Sequence, residues 1–290
     1  MKNPDQSQRF LFEEHPIRGQ YVSLDESWQE IRKQSGLTGR GLSLLGEALA
    51  AVTLLVDTLK IKGSITLQIR GKGPLELLVV EANSEHKVRG IARSNGEIDE
   101  NIDLPQVFGS DHLVITIKTE GAEPHQGIAP LLGATLASAL EHYFATSEQL
   151  PTHFWLACDD VSTSGMLIQK LPGKAKDDDA WDRILHLANT VTAHELLSLP
   201  LGGLVYRLFN EETVRLFDPN RVEFSCSCSR ERTAGMLTSL GQDEVNDILK
   251  QENEISITCE FCNANYCFDS IDVQQLFSAM GTVAVDSSRH

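Results

Sequence analysis

The run SITLQIRGKGPLELLVVEANSEHKVRGIAR, residues 64–93, carries the clearest structural signal in the chain. Its first part, 64–70, alternates Ile65, Leu67 and Ile69 with polar neighbours, the period-two pattern of a half-buried strand. Gly71-Lys72-Gly73-Pro74 is turn chemistry, and residues 75–81 (LELLVVE) read as the next strand. Residues 87–93 (KVRGIAR) read as a third. Short strands joined by short turns pair antiparallel, so this stretch predicts a mainly antiparallel sheet.

Outward from there, residues 112–118 (HLVITIK) continue the pattern, and 152–158 and 166–171 read as closing strands. Phe10, Phe12, Tyr21, Val22 and Leu24 are candidate first-strand positions. A helix is predicted over 41–59, where Leu42, Leu45, Leu49, Val52 and Val56 recur at spacings of three and four. A second is predicted over 133–146, with Leu136, Leu140 and Phe144 four apart. The composition changes near Pro172, where PGKAKDDDAWD is polar and charged. Beyond it, 181–190, 193–199 and 204–210 read as short helices interrupted by Pro200, Gly202 and Gly203. Helices this short need tertiary packing to persist. The expected class is α+β: an N-terminal, mainly antiparallel sheet with helices, a helical linker, and a small C-terminal domain built on four cysteines.

The chain has 290 residues, 41 of them acidic and 25 basic, for a net charge of −16. Phosphate backbones repel a protein this acidic, so nucleic acid is not an expected partner. No apolar run approaches the roughly 20 residues that span a bilayer, so no membrane association is expected. The first residues, MKNPDQSQRFLFEEHP, lack a basic segment followed by an apolar one, and a cytoplasmic location is expected.

Five of the six cysteines lie between positions 226 and 267. A secreted disulfide scaffold spreads its cysteines along a short chain, whereas this clustering points to metal or redox chemistry. Cys226-Ser-Cys228 and Cys259-Glu-Phe-Cys262 are two close pairs separated by thirty residues. Four thiolates supplied in this way complete a tetrahedral zinc shell, with Zn–S about 2.3 Å. A predicted helix at 243–250 and a strand at 254–258 lie between the pairs. A static zinc staple, buried free cysteines and disulfides are the competing readings, and spacing alone does not establish a redox role. Zinc does hold sulfur as thiolate, the form that oxidants attack. Cys267 sits between Tyr266 and Phe268 on the opposite strand face, and is expected to be a small packing residue. Cys158 ends the apolar strand HFWLAC and is expected in the core.

Other motifs are weak. Gly36-Leu-Thr-Gly39-Arg40-Gly41 lacks the Gly-Lys-Ser/Thr of a phosphate loop and reads as a turn before a helix. His194-Glu195 lacks the second histidine of a zinc protease. Ser225, Ser227 and Ser229 have no nucleophile-elbow context, and Asp177, Asp178 and Asp179 read as a solvated loop. No catalytic constellation emerges, and no enzymatic activity is expected.

The cysteine segment closely resembles the redox-regulated thirty-three kilodalton heat-shock chaperone family of bacteria. The matching residues are Phe224-Ser-Cys226-Ser-Cys228-Ser-Arg230-Glu231-Arg232, Leu240-Gly241, Cys259-Glu260-Phe261-Cys262, Tyr266 and Phe268. The likeness extends upstream through Ser147-Glu148-Gln149-Leu150-Pro151-Thr152, Gly165-Met166-Leu167, Leu171-Pro172, Arg70-Gly71 and Arg89-Gly90. The resemblance implies three parts: residues 1–173 as an α/β core and dimerisation domain, 174–222 as a metastable helical linker, and 223–290 as a zinc-binding switch. It implies one Zn2+ per chain on Cys226, Cys228, Cys259 and Cys262 when reduced. On oxidation it implies disulfides Cys226–Cys228 and Cys259–Cys262, zinc release, and unfolding of the zinc domain and linker. The exposed surface would then bind unfolding client proteins without ATP, and the protein would form a homodimer, especially when oxidised. Cys267 departs from the pattern, and the polar tail after Phe277 is expected to be disordered. The runner-up is a thiol-disulfide oxidoreductase, which needs a low-pKa thiol at a helix start. A zinc-ribbon nucleic-acid adaptor comes third, disfavoured by the charge.

Overall fold

Strand β1 (Gln6–Phe12) turns directly into β2 (Ile17–Leu24) in the computed structural model, which describes residues 4–58, 62–173 and 177–283. Leu59, the linker start at 174–176 and the tail 284–290 lie outside the described residues. The chain divides into two units, Met1–Ser225 and Cys226–His290. Phe10, Phe12, Tyr21, Val22 and Leu24, the expected first-strand positions, are all buried in the opening hairpin.

Helix α1 (Glu26–Ser35) follows, unforeseen because its apolar stripe amounts to Trp28 and Ile31. Its start is capped from a distance. The Asp5 carboxylate accepts the backbone N–H groups of Asp25 (2.5 Å), Glu26 (3.0 Å) and Ser27 (2.6 Å), donors that a helix start otherwise leaves unmet. Gly36 ends it in the left-handed region at φ 63°, as the turn reading of Gly36–Gly41 anticipated. Helix α2 (Gly39–Val56) covers most of the helix expected over 41–59, and strands β3 (Gly63–Arg70), β4 (Leu75–Asn83) and β5 (Lys87–Ser94) stand where the opening motif placed them. A short α3 (Leu104–Phe108) leads into β6 (His112–Thr119) and an unpredicted β7 (His125–Pro130). Helix α4 (Leu136–Tyr143) continues into a wide helical turn at Phe144–Glu148, and then come β8 (Thr152–Cys158) and β9 (Thr163–Lys170).

Among the described residues the strands of this unit form two sheets, β10-β1-β2-β9-β8 with β11 also on β1, and β12-β5-β4-β3-β6-β7. Here β10 is Val214–Leu216, β11 is Asn220–Arg221 and β12 is Glu223–Phe224. Neighbours run antiparallel except β12 on β5, which is parallel. The molecule is thus α+β with mainly antiparallel strands, as the sequence implied.

Helix α2 packs against both sheets, touching β3, β4 and β5 on one side and β2, β8 and β9 on the other. A helix enclosed in this way carries apolar residues all round. By length and composition α2 is apolar enough to cross a bilayer, which corrects the reading that no segment approaches that span; 78% of it is nevertheless buried within the protein. Its close approach to β8 requires Gly46, where a Cβ would come within 2.2 Å of Cys158 Sγ. Cys158 packs at the edge of this core, and burial pushes its thiol well above the ordinary range.

The segment read as a linker contains α5 (Ala180–Ala188), α6 (Ala193–Ser198) and α7 (Leu201–Phe209). Its apolar side chains Ile184, Leu196, Leu204, Leu208 and Phe209 form a second core with Phe10, Phe12, Tyr21, Met166 and Ile168 of the first sheet. The Tyr21 hydroxyl donates to Leu199 O at 2.9 Å. Strands β10 and β11 then return along β1.

The second unit holds α8 (Arg230–Leu240), α9 (Gln242–Glu252), the hairpin β13 (Ile255–Thr258) with β14 (Asn265–Phe268), and α10 (Ser270–Val283). The expectation of disorder beyond Phe277 is corrected as far as Val283, because the chain there continues α10.

One partly buried acid beside the core yields a pH test. Glu47 on α2 lines a cavity of about 280 Å3 with Phe154, Trp155, Leu156 and Leu196, and burial pushes its carboxyl up to about 7 from an ordinary 4.5, against an opposing pull from Arg40. Between those two values the folded chain keeps a proton that the unfolded chain has released, so the stability this group contributes is complete below pH 4.5 and lost as pH rises through 7. Relative to wild type, Glu47→Gln is therefore expected to be more stable at pH 8 than at pH 5, by up to about 3 kcal/mol. Urea midpoints of both proteins at the two pH values measure it. The same difference between the proteins at both pH values would show that the site does not titrate in this way.

Candidate metal centre

The four paired cysteines converge in the second unit. Cys226 and Cys228 lie on the extended chain entering α8, whose first turn is capped by the Ser229 hydroxyl accepting from Arg232 N at 3.2 Å. The Arg232 guanidinium donates to Ser227 O at 2.7 Å, fixing the residue between the two cysteines. Cys259 and Cys262 lie on the turn joining β13 to β14. That turn is closed by Cys259 N donating to Ala264 O and Asn263 N donating to Cys259 O, both at 2.8 Å, with Asn263 left-handed at φ 53°. A chain wound this tightly presents both sulfurs to one side.

The four Sγ atoms lie within 4.8 Å of one another. Cys226 Sγ is 3.6 Å from Cys259 Sγ, and Cys228 Sγ is 3.2 Å from Cys262 Sγ. A tetrahedron with metal–sulfur bonds of about 2.3 Å has edges of about 3.8 Å, so the donor set and its spacing fit a thiophilic ion. These separations also exceed a disulfide bond of about 2.05 Å, and all six cysteines are free thiols. Each short contact joins one member of the first pair to one of the second, so neither sequence pair stands apart from the other.

The Tyr266 hydroxyl donates to Cys228 Sγ at 3.1 Å. That bond favours thiolate and holds the Cys228 thiol at about 7, while burial pushes Cys226 and Cys262 upward. Tyr266 is thus part of the site; the sequence marked it only as a match to the family pattern, with no role, and the hairpin register is what brings its hydroxyl to the sulfur. Arg230, also singled out only as a match to the family pattern, has a structural role. It donates to Cys267 O (2.7 Å), pairs with Asp272 (2.7 Å) and lies over the Phe268 ring at 4.4 Å, tying α8 to β14 and α10.

Cys267 does not join the tetrad. It faces away from Phe268, pairs with Ser256 across the hairpin and receives the Asn265 amide at 3.7 Å. It is also absent from the core cluster of Leu237, Val245, Ile255, Phe268 and Val273, which corrects the packing role expected of it. The weaker motifs have local roles. The Glu195 carboxylate takes part in a capping box with Thr192, Asp177 pairs with Arg183, and Ser229 caps α8.

A family model described as Hsp33 protein matches residues 5–269. Over 290 residues, all of both chains, the protein is 46% identical to the 33 kDa chaperonin of Nitrosococcus oceani. It is 45% identical over 294 residues to the 33 kDa chaperonin of Methylobacillus flagellatus, again over the whole of both. The crystal structure of the 33 kDa chaperonin from Thermotoga maritima superposes with a TM-score of 0.82, covering 96% of this chain and 99% of that one at 24% identity, a likeness of fold.

Three substitutions separate the roles of these groups. Tyr266→Phe removes a hydrogen bond to a candidate ligand and is expected to weaken metal binding roughly 10- to 100-fold, as loss of an outer partner does elsewhere. Competition against a chromophoric chelator reads the change, and unaltered affinity would remove Tyr266 from the site. Cys267→Ser is expected to leave metal content as in wild type, whereas Cys259→Ser should lower it strongly by elemental analysis.

Proposed function

The chain belongs to the Hsp33 family, and from that membership and its four clustered sulfurs we propose that it is a redox-regulated, ATP-independent holdase chaperone with one Zn2+ per reduced chain. The observation that carries the proposal is the convergence of Cys226, Cys228, Cys259 and Cys262 within 4.8 Å in a unit with so small a core. Zinc supplies an apparent folding free energy of about 10–16 kcal/mol to small sites of this kind.

Oxidation and coordination compete for the same four sulfurs. An oxidant of the peroxide class takes two electrons from each pair, giving one disulfide and two waters per peroxide consumed. Joining Cys226 to Cys228 and Cys259 to Cys262 leaves no thiolate to hold the cage. The Leu237, Val245, Ile255, Phe268 and Val273 cluster cannot hold a unit of this length by itself. In the proposal the unfolding extends into residues 174–222. Helices α5, α6 and α7 have 9, 6 and 9 residues, below the roughly 12–15 at which an isolated helix holds together. Their attachment to the first sheet through Leu196, Leu204, Leu208 and Phe209 is what keeps them folded. Once detached, these apolar faces offer an adaptable surface to unfolding client proteins. The division into 1–173, 174–222 and 223–290, the homodimer and a cytoplasmic location belong to the same reading.

Three measurements bear on it. Hydrogen exchange after peroxide treatment is expected to rise across 177–222 and 226–283 while residues 64–118 stay protected; equal loss everywhere would mean global unfolding and sink the three-part scheme. Activity against an aggregating client, followed by light scattering, should appear together with zinc release, need no nucleotide and fall when reductant and zinc are restored. A variant with Cys226, Cys228, Cys259 and Cys262 all changed to Ser should protect the client without any oxidant. A disordered but inert variant would mean that loss of the cage is not sufficient. Turnover in an insulin-reduction assay would instead favour a thiol-disulfide oxidoreductase.

A further inference from the structure

A cavity of about 130 Å3 lies on the α2-facing side of the first sheet, well away from the cysteines in sequence, and two arginines line it. Arg9 on β1 and Arg18 on β2 are offset by two residues of register, since Arg9 pairs with Gln20 and Leu11 with Arg18. Both therefore project from the same face of the hairpin. Asp57 and Thr58, just past the end of α2, and Leu167, Leu171 and Phe217 form the remaining walls.

The charges here are unbalanced. Arg18 is part-buried, and its Nε and Nη2 both donate to a neutral acceptor, Gln169 Oε1, at 2.9 and 2.6 Å. Among the described residues neither Arg18 nor Arg9 pairs with a carboxylate. Burial and the neighbouring Arg9 both act against the Arg18 charge and lower its pKa. Asp57 does not relieve them. Its carboxylate accepts from the Ser7 hydroxyl, from Gln20 Nε2 at 2.5 Å and meets His86 Nε2 at 2.8 Å. A chain with 41 acidic residues has carboxylates to spare, yet the one lining this cavity, Asp57, is bonded to Ser7, Gln20 and His86 and not to either guanidinium. Arg9 is also held in position, its guanidinium 5.1 Å from the Phe217 ring centre while Arg215 lies at 5.0 Å from the same ring. Phe217 N donates to Arg9 O at 3.0 Å, and Gln8 Nε2 to Phe217 O at 2.7 Å.

We propose that this cavity is a binding site for a small tetrahedral oxyanion of the phosphate class, held by the Arg9 and Arg18 guanidinium groups beside Phe217. Guanidinium forks match phosphate oxygens in geometry as well as charge. The cavity is well below the roughly 300–1,000 Å3 of sites that enclose drug-sized ligands, so the anion is inorganic phosphate or the phosphoryl end of a small monoester, not an enclosed nucleotide. Phe217 comes from the segment joining β10 to β11, so a bound anion ties that segment to the β1–β2 hairpin.

The test is calorimetric titration of the full-length reduced protein with inorganic phosphate, and separately with glycerol 3-phosphate, at ionic strength held constant with sodium chloride. Saturable binding near one per chain is expected. Arg9→Gln and Arg18→Lys should each weaken it roughly ten- to a hundredfold, the effect of losing a charged hydrogen-bonding partner. Arg9 is exposed, so Arg9→Gln reads the site without a buried substitution; Arg18→Lys keeps a cation and removes the fork. Hydrogen exchange across 214–217 should slow when phosphate is added to wild type. Binding of phosphate alone assigns the free ion, and tighter binding of the ester assigns a phosphomonoester; either supports the site. No saturable binding of either ligand, or affinity unchanged in both variants, overturns it.

Discussion

Apart from the partly buried Arg40, Ser43 and Glu47, helix α2 has little polar surface to offer water. Leu42, Leu45, Leu49, Val52 and Val56 belong to one core cluster, and Leu44, Ala48, Ala51 and Leu55 on its other faces belong to the same one. An element this apolar must be covered on most of its surface, and this requirement sets the architecture of the first unit. One sheet closes over α2 from the β3–β4–β5 side and the other from the β2–β8–β9 side. Gly46 and Gly165 let the backbones come close, since a Cβ at Gly165 would fall within 2.9 Å of Leu54. The first sheet then has a second apolar face left over, built on Phe10, Phe12, Tyr21, Met166 and Ile168, and α5, α6 and α7 cover it.

The two faces of that sheet differ in what holds them. The α2 face is part of a core shared by both sheets. The other depends on helices too short to stand alone, from a segment broken by Pro200 and by Gly202 and Gly203. A layer of this kind is the low-stability end of a fold, where local opening costs least. The Arg9–Arg18 pair lies on the opposite, α2-facing side of the sheet, at a point where Phe217 laps back over the hairpin.

The second unit has no element comparable to α2. Its organisation runs through polar and sulfur contacts: Arg230 bridging three elements, Arg232 on Ser227 O, Tyr266 on Cys228, and four thiols converging between a chain entry and a hairpin turn. Chemistry at those sulfurs therefore acts on the part of the molecule with the fewest other restraints.

By itself the sequence determined the α+β class, α2, most strands of both sheets and the four-cysteine set, because each is written in local periodicity or spacing. Alternation in 64–70 and the repeat from Leu42 to Val56 need no partner to be recognised, and neither do two cysteine pairs thirty residues apart. Tertiary structure decided what depended on distant groups. Helix α1 starts where it does because Asp5 caps it from some twenty residues away. Helices α8 and α10 present few buried residues, so their periodicity is faint. Strand β7 exposes Ile128 at 67% and reads as loop. Tyr266 became part of the sulfur site only through the β13–β14 register, and Cys267, its immediate neighbour, was turned away by the same alternation. Arg9 and Arg18, nine positions apart and unremarkable in the sequence, became a charged pair only when the hairpin folded.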